Sequence, residues 1–82
     1  MALDDEKVFN LVMRSTESAL SRETISRESN FQSDLAFDSI SFLTMALHIA
    51  EEFDLDISQD NEAYYLIQTI GDLIDFLNSK LG

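Results

Sequence analysis

The chain has 82 residues, of which 45% are hydrophobic, and a formal net charge of −11. This length predicts one domain over residues 1–82 with a small core, and the hydrophobic content excludes a disordered chain. The negative charge argues against nucleic-acid binding because it repels phosphates. No apolar run reaches the length of a membrane span, and the acidic start does not resemble a secretory signal, so we expect a cytoplasmic protein.

The negative charge is unevenly distributed along the chain. Residues 1–27 hold five acidic and four basic residues, whereas residues 28–79 hold eleven acidic residues and no Lys or Arg. A surface of this kind attracts basic partner surfaces and accelerates the encounter with them.

The first predicted elements are a helix and a long loop. Residues 4 to about 20 predict the helix because apolar residues recur on one face at helical spacing: Val8, Leu11, Val12 and Ala19. Residues 21–37 predict a polar loop of a length that is usually functional or disordered. Its spaced apolar residues indicate that it packs on the core: Ile25, Phe31, Leu35 and Phe37.

Residues 39–53 predict the most regular helix of the chain, with Asp38 as its N-cap. At 100° per residue, its polar side chains form one narrow stripe, and apolar side chains fill most of the remaining circumference. The stripe consists of Ser41, Thr44, His48, Glu51 and Glu52. Ile40 and Met45 lie at its two borders. An apolar arc this wide indicates a helix that contacts several neighbours.

Two further helices are predicted near the C-terminus. Residues 60–66 predict a short one, and residues 69–80 a longer one that begins with Thr69 and Asp72 in the arrangement of a capping box. No segment alternates like a strand. The predicted fold class is therefore all-α: a small four-helix bundle of three main helices and one short helix, with a long loop between the first and second helices.

A calcium-binding loop is the first candidate site to weigh. The acidic residues Asp54, Asp56 and Asp60 have part of the required spacing, but Gln59 stands in place of the necessary glycine and Tyr65 in place of the closing glutamate. A solvated acidic loop is the better interpretation. His48 is the sole histidine of the chain, and one histidine makes no convincing metal site. We therefore predict no metal site.

Ser39 is the second candidate, because it follows Asp38 at the predicted start of a helix. A catalytic serine needs a histidine partner within hydrogen-bond reach, and none is near it in the sequence. By local chemistry alone, an ordinary residue of the first helical turn is the favoured interpretation. The chain has no cysteine, so any thiol chemistry requires a cofactor that supplies the sulfur.

The segment FQSDLAFDSISFLTMALHIAEEFDLDI, residues 31–57, resembles the signature segment of acyl carrier proteins. That family typically reads Phe, two residues, Asp-Leu-Gly, an apolar residue and Asp-Ser-Leu at the head of an acidic helix that closes in Glu-Glu-Phe. The matching residues are Phe31, Asp34, Leu35, Asp38, Ser39, Glu51, Glu52 and Phe53. The segment TIGDLIDFL, residues 69–77, resembles the final helix of the family, so the similarity spans nearly the whole chain.

The resemblance implies that Ser39, flanked by Asp38, is the attachment point for 4′-phosphopantetheine. A phosphopantetheinyl transferase, using coenzyme A and magnesium, would attach it. The thiol of this arm would carry acyl groups as thioesters, and a chain of that kind can enter the space between the helices. The partners implied are acyl-transferring and synthase enzymes of fatty-acid, lipid or polyketide-type biosynthesis, with basic docking surfaces. The carrier itself has no catalytic residues and is expected to be a monomer.

Several residues depart from the family pattern and favour a specialised pathway. Ala36 replaces the usual glycine, so we expect this position to avoid positive φ. Ser41 and Thr44 replace acids that are common on the docking helix. We expect Ile40 and Met45 to be exposed and to form the apolar docking contact beside these two, with steering by Glu51 and Glu52.

Two alternatives remain at this point. An aminoacyl or peptidyl carrier is the nearest competitor, although such domains more often have a glycine-rich approach to the serine, which LAFDSI lacks. The other alternative is a helical interaction module that keeps the carrier fold and is never modified. Reaction with a transferase separates this module from a carrier.

Overall fold

The computed structural model describes residues 4–16, 20–57 and 62–81 of the chain. These residues form four α-helices and one 3₁₀-helix. The α-helices are α1 (Asp5–Arg14), α2 (Ser39–Phe53), α3 (Ala63–Leu66) and α4 (Ile70–Leu81), and the 3₁₀-helix covers Arg22–Thr24. The predicted all-α class, with three main helices and one short helix, is confirmed.

Helix α1 is shorter than predicted. It begins after Asp4, whose carboxylate accepts a hydrogen bond from the Glu6 N–H at 3.0 Å. It ends at Arg14, because the Ser15 hydroxyl donates to the Leu11 carbonyl at 2.7 Å and so competes for the backbone hydrogen bonds of the last turn. The predicted buried residues of α1 are buried as expected: Val8, Leu11 and Val12. Ala19 lies outside the described residues.

The loop between α1 and α2 packs on the core, as its spaced apolar residues predict. All four of the predicted anchors are buried: Ile25, Phe31, Leu35 and Phe37. Three backbone hydrogen bonds join this loop to the start of α4: Phe31 N–H to the Gln68 carbonyl at 2.9 Å, Ile70 N–H to Ser29 at 3.1 Å and Gly71 N–H to Arg27 at 2.8 Å. The loop therefore satisfies N–H groups that the first turn of α4 leaves without helical partners.

Glycine at position 71 permits this close approach. A Cβ atom there would lie 3.0 Å from the Arg27 carbonyl oxygen, which is backbone and cannot easily move. The predicted capping box completes the start of α4. The Thr69 hydroxyl accepts from the Asp72 N–H at 3.0 Å, and the Asp72 carboxylate accepts from the Thr69 N–H at 3.1 Å.

Arginine side chains also hold the loop, on the surface. Arg27 pairs with Asp5 of α1 at 3.3 Å and with Asp75 of α4 at 3.0 Å. Arg22 pairs with Glu6 at 2.7 Å, and its hydrogen bonds hold the pKa of the Glu6 carboxyl below its usual value. Each pair is exposed and adds little stability. Together with the buried anchors, however, they fix the segment that leads into α2.

Candidate functional site

Ser39 is the first residue of α2, and it is exposed. The preceding residue, Asp38, caps the helix as predicted: its carboxylate accepts a hydrogen bond from the Ser41 N–H at 2.8 Å. This hydrogen bond holds the pKa of the Asp38 carboxyl below its usual value, because it stabilises the charged form. Since Asp38 provides the cap, the helix does not need the Ser39 hydroxyl for its own stability.

The structure places no histidine beside Ser39. His48 is half-buried and lies nine residues further along α2, an axial distance of about 14 Å. A serine nucleophile needs its base at hydrogen-bond distance. Ser39 and His48 therefore do not form a catalytic pair. Of the residues considered for calcium binding, Gln59 and Asp60 lie outside the described residues.

Ala36 has φ 55°, so the expectation that this position avoids positive φ is wrong. The reason is tertiary. Leu35 and Phe37 are both buried while Ala36 between them is exposed, and the Phe37 N–H closes a turn on the Phe31 carbonyl at 2.7 Å. The turn that buries both neighbours imposes the left-handed conformation, although an alanine Cβ makes it unfavourable.

Ala36→Gly is therefore expected to raise the free energy of unfolding by about 0.5–1 kcal/mol. Glycine relieves the Cβ strain at positive φ, and this gain exceeds the extra entropy that glycine gives the unfolded chain. Urea unfolding followed by circular dichroism measures the change. Gln32→Gly, at an exposed loop residue without positive φ, is the control and is expected to be destabilising. A loss of stability in both variants contradicts the strain argument.

Met45 was predicted to be exposed at the edge of the docking face, and this prediction is wrong. Its side chain is 0% exposed and belongs to the core together with Phe42 and Ile49. Ile40, at the other border, is 71% exposed, as expected. Ser41 and Thr44 are partly exposed, and the Thr44 hydroxyl donates to the Ile40 carbonyl at 2.9 Å.

The apolar arc of α2 is divided between core and solvent. Leu43 is 54% exposed and Leu47 is 64% exposed. With Ile40 they stand at positions i, i+3 and i+7, and so form one stripe along the outside of the helix. We call Ile40, Leu43 and Leu47 the exposed apolar stripe. The sequence predicted exposure for Ile40, whereas it placed Leu43 and Leu47 in the apolar arc that was expected to contact neighbouring elements.

The acidic end of α2 lies beyond this stripe. Glu51 is exposed one turn after Leu47, whereas Glu52 pairs with Arg14 of α1 at 3.5 Å. Both partners of this pair are largely solvated, so the pair is weak and does not prevent Glu52 from meeting another cation. Exposed charge near the stripe is thus provided by Glu51 and, in part, by Glu52.

Two clefts flank the start of α2, and Asp38 lines both. The first has a volume of about 320 Å³ and is rich in aromatic side chains; we call it the aromatic cleft. It is lined by Asn30, Phe31, Gln32, Phe37, Asp38, Phe42, Tyr64, Tyr65, Ile67 and Gln68. The second, of about 520 Å³, lies between the end of α1 and the start of α2. An exposed serine directly after a residue that lines two clefts suits a flexible group attached to its hydroxyl.

Comparison with known proteins identifies the family to which a chain with this site belongs. Residues 10–77 match the family described as "Phosphopantetheine attachment site". The chain is 29% identical to an acyl carrier protein of Lactobacillus johnsonii over 79 residues, which cover 94% of this chain and 96% of that protein. It is 32% identical to an acyl carrier protein of Prochlorococcus marinus over 82 residues, which cover 98% of this chain and all of that protein.

The chain therefore belongs to the family of phosphopantetheine-attachment domains. Within that class its relatives place it among the acyl carrier proteins, as the resemblance of residues 31–57 implied. It carries 4′-phosphopantetheine as a covalent group and acts as a carrier in biosynthesis, while partner transferases and synthases provide the catalysis. In residues 4–16, 20–57 and 62–81, no helix has the length and apolar character needed to cross a bilayer.

Proposed function

We propose that residues 1–82 act as one monomeric, cytoplasmic carrier domain in which Ser39 holds the phosphopantetheine arm. The observation that carries this proposal is the position of Ser39, exposed in the first turn of α2 directly after the Asp38 cap. When bound, the arm supplies the thiol that this chain lacks and thereby carries acyl groups as thioesters. The proposed pathways are fatty-acid, lipid or polyketide-type biosynthesis.

The buried serine hydroxyls and the hydroxyl of Thr44 are less suitable attachment points. Ser15 and Ser29 are buried, and Ser15 already donates to a backbone carbonyl. Thr44 donates its hydroxyl hydrogen bond to the preceding turn of α2. Ser39 combines exposure with room on both sides of its capping residue, which a transferase needs in order to reach the hydroxyl.

Incubation with a phosphopantetheinyl transferase, coenzyme A and magnesium tests the proposal. We expect intact-protein mass spectrometry to show one added phosphopantetheine, and fragmentation to locate it on Ser39. A protein that stays unmodified in the presence of an active transferase would support the alternative of an unmodified interaction module. Mass spectrometry of the protein from its native cell then distinguishes acyl cargo from aminoacyl or peptidyl cargo.

We further propose that partner enzymes dock on the exposed apolar stripe, in which Leu43 and Leu47 rather than the buried Met45 join Ile40 in the apolar contact. Ile40, Leu43 and Leu47 present adjacent apolar side chains to solvent, starting beside Ser39. Ser41 and Thr44 border the stripe where family members commonly have acids. The surface therefore suits a partner with an apolar patch near its active site and basic residues that meet Glu51 further along α2. Such a contact favours dedicated partners over a generic fatty-acid synthase and agrees with a specialised pathway.

A further inference from the structure

The aromatic cleft gathers rings from three separate parts of the chain. Phe31 and Phe37 come from the loop, Phe42 from α2, and Tyr64 and Tyr65 from α3. The rings of Phe42 and Tyr64 meet edge to face, with centroids 5.1 Å apart and planes at 72°. Those of Tyr64 and Tyr65 are 5.7 Å apart at 85°, and those of Phe31 and Phe37 are 5.1 Å apart at 49°. Five aromatic side chains therefore line one cleft beside Asp38.

The cleft has a buried floor and a solvated rim. Phe31, Phe37 and Phe42 are buried, whereas Tyr64 is 43% exposed and Tyr65 is 75% exposed. The exposed amide side chains of Gln32 and Gln68 also line the cleft and can donate or accept hydrogen bonds. An occupant that is apolar with a few polar substituents fits this gradient, because its ring meets the floor while its polar atoms stay at the rim.

Charge restricts the occupant further. Asp38 is the one charged residue among the described residues that line the cleft. Its carboxylate is held in the ionised form by the N–H of Ser41. A second carboxylate in the cleft would be repelled, and none of the described lining residues is a cation that could compensate for it. The cleft therefore favours a neutral acyl group over one that ends in a carboxylate.

We propose that the aromatic cleft holds the acyl group on the arm of this same chain when that group ends in a neutral aromatic or conjugated ring. This proposal rests on the proposed function, because it needs an arm on Ser39. A saturated chain in the cleft gains only the burial of apolar surface. A planar ring gains this burial and also edge-to-face or offset contacts with the lining rings. These contacts correspond to about a two- to tenfold preference for the ring.

The size of the cleft agrees with one ring. A cavity of about 150 Å³ suffices for benzene, and the aromatic cleft has about 320 Å³, part of which is open to solvent. The edge-to-face contact of Phe42 with Tyr64 fills space between α2 and α3. We therefore expect the cleft to hold a ring against these side chains. We do not expect it to admit a long acyl chain that passes through the core.

A pair of matched cargoes tests the proposal. The arm is loaded from benzoyl-coenzyme A or from cyclohexanecarbonyl-coenzyme A by a phosphopantetheinyl transferase, so that the two acyl groups differ in aromaticity at equal carbon number. Hydroxylamine then cleaves the exposed thioester, and Tyr64→Leu removes one lining ring while it keeps an apolar side chain. We expect Tyr64→Leu to accelerate cleavage of the benzoyl thioester about two- to tenfold and to leave the cyclohexanecarbonyl thioester nearly unchanged. Tyr64→Phe, which keeps the ring, is expected to behave like the parent protein.

A second readout is independent of cleavage and of any partner enzyme. Aromatic carbon–proton NMR spectra of the benzoyl-loaded protein are expected to show ring-current shifts at Phe42 and Tyr64, which the cyclohexanecarbonyl group does not produce. If Tyr64→Leu fails to fold, as judged by circular dichroism, Tyr65→Leu at the rim provides the cleavage comparison. Equal rates of benzoyl thioester cleavage in the parent and the variant, together with unshifted ring signals, overturn the cleft proposal. The proposed carrier function still stands in that case, because Ser39 has been loaded. Failure to load Ser39 overturns both.

Discussion

Ser39→Ala is expected to abolish attachment of the phosphopantetheine arm. In the proposed function the Ser39 oxygen becomes bonded to the phosphate of the arm, and alanine has no atom in its place. The fold is expected to survive, because Asp38 rather than Ser39 accepts the capping hydrogen bond from Ser41. Alanine is also favourable in a helix, so the free energy of unfolding is expected to change by no more than about 0.5 kcal/mol.

Ser41→Ala is the matched control for this experiment. It makes the same chemical change two residues further along α2, and its backbone N–H still donates to Asp38. We expect intact-mass spectrometry to show full loading of Ser41→Ala and none of Ser39→Ala under conditions that load the parent protein. Loading of Ser39→Ala would mean that another hydroxyl group holds the arm, even if the family assignment stands.

Local signals explain why α2 was predicted with its observed bounds. Asp38 caps the start of the helix, and the helix ends at Phe53, directly before Asp54, which has φ 54°. Aspartate tolerates this left-handed conformation better than most residues. The four buried anchors of the loop were likewise readable from their spacing. The end of α1 was not, because hydrogen bonds made by Ser15 shortened it.

Tertiary context decided what the sequence pattern left open. A helical period shows which residues share a face, but it does not show which of two apolar faces meets the core. Met45 therefore proved buried, and Leu43 and Leu47 exposed. The positive φ of Ala36 depends on the burial of both its neighbours, which residue type alone does not reveal. The aromatic cleft was equally hidden, since its rings come from positions as far apart as 31 and 65.

Met45→Ala is expected to reduce stability more than docking, and Leu47→Ala is expected to reduce docking more than stability. Met45 is 0% exposed, so truncation removes buried atoms and leaves a cavity that costs about 2–5 kcal/mol. This is a large share of the stability of a small domain. Leu47 is 64% exposed, and its truncation is expected to cost less than about 1 kcal/mol. Urea unfolding of both variants measures the difference.

Docking is expected to reverse this order. Leu47 lies in the exposed apolar stripe, and an apolar anchor at an interface is worth about 1–2 kcal/mol, or roughly tenfold in affinity. Most of that loss is expected in the dissociation rate. Met45 cannot contact a partner from the core, so the folded fraction of Met45→Ala is expected to bind a cognate synthase as the parent does. Surface plasmon resonance at a temperature where both variants are folded measures the two rates. The proposal is contradicted if Leu47→Ala dissociates as the parent does and folded Met45→Ala dissociates faster. That result would mean that the docking contact involves the Met45 side of α2.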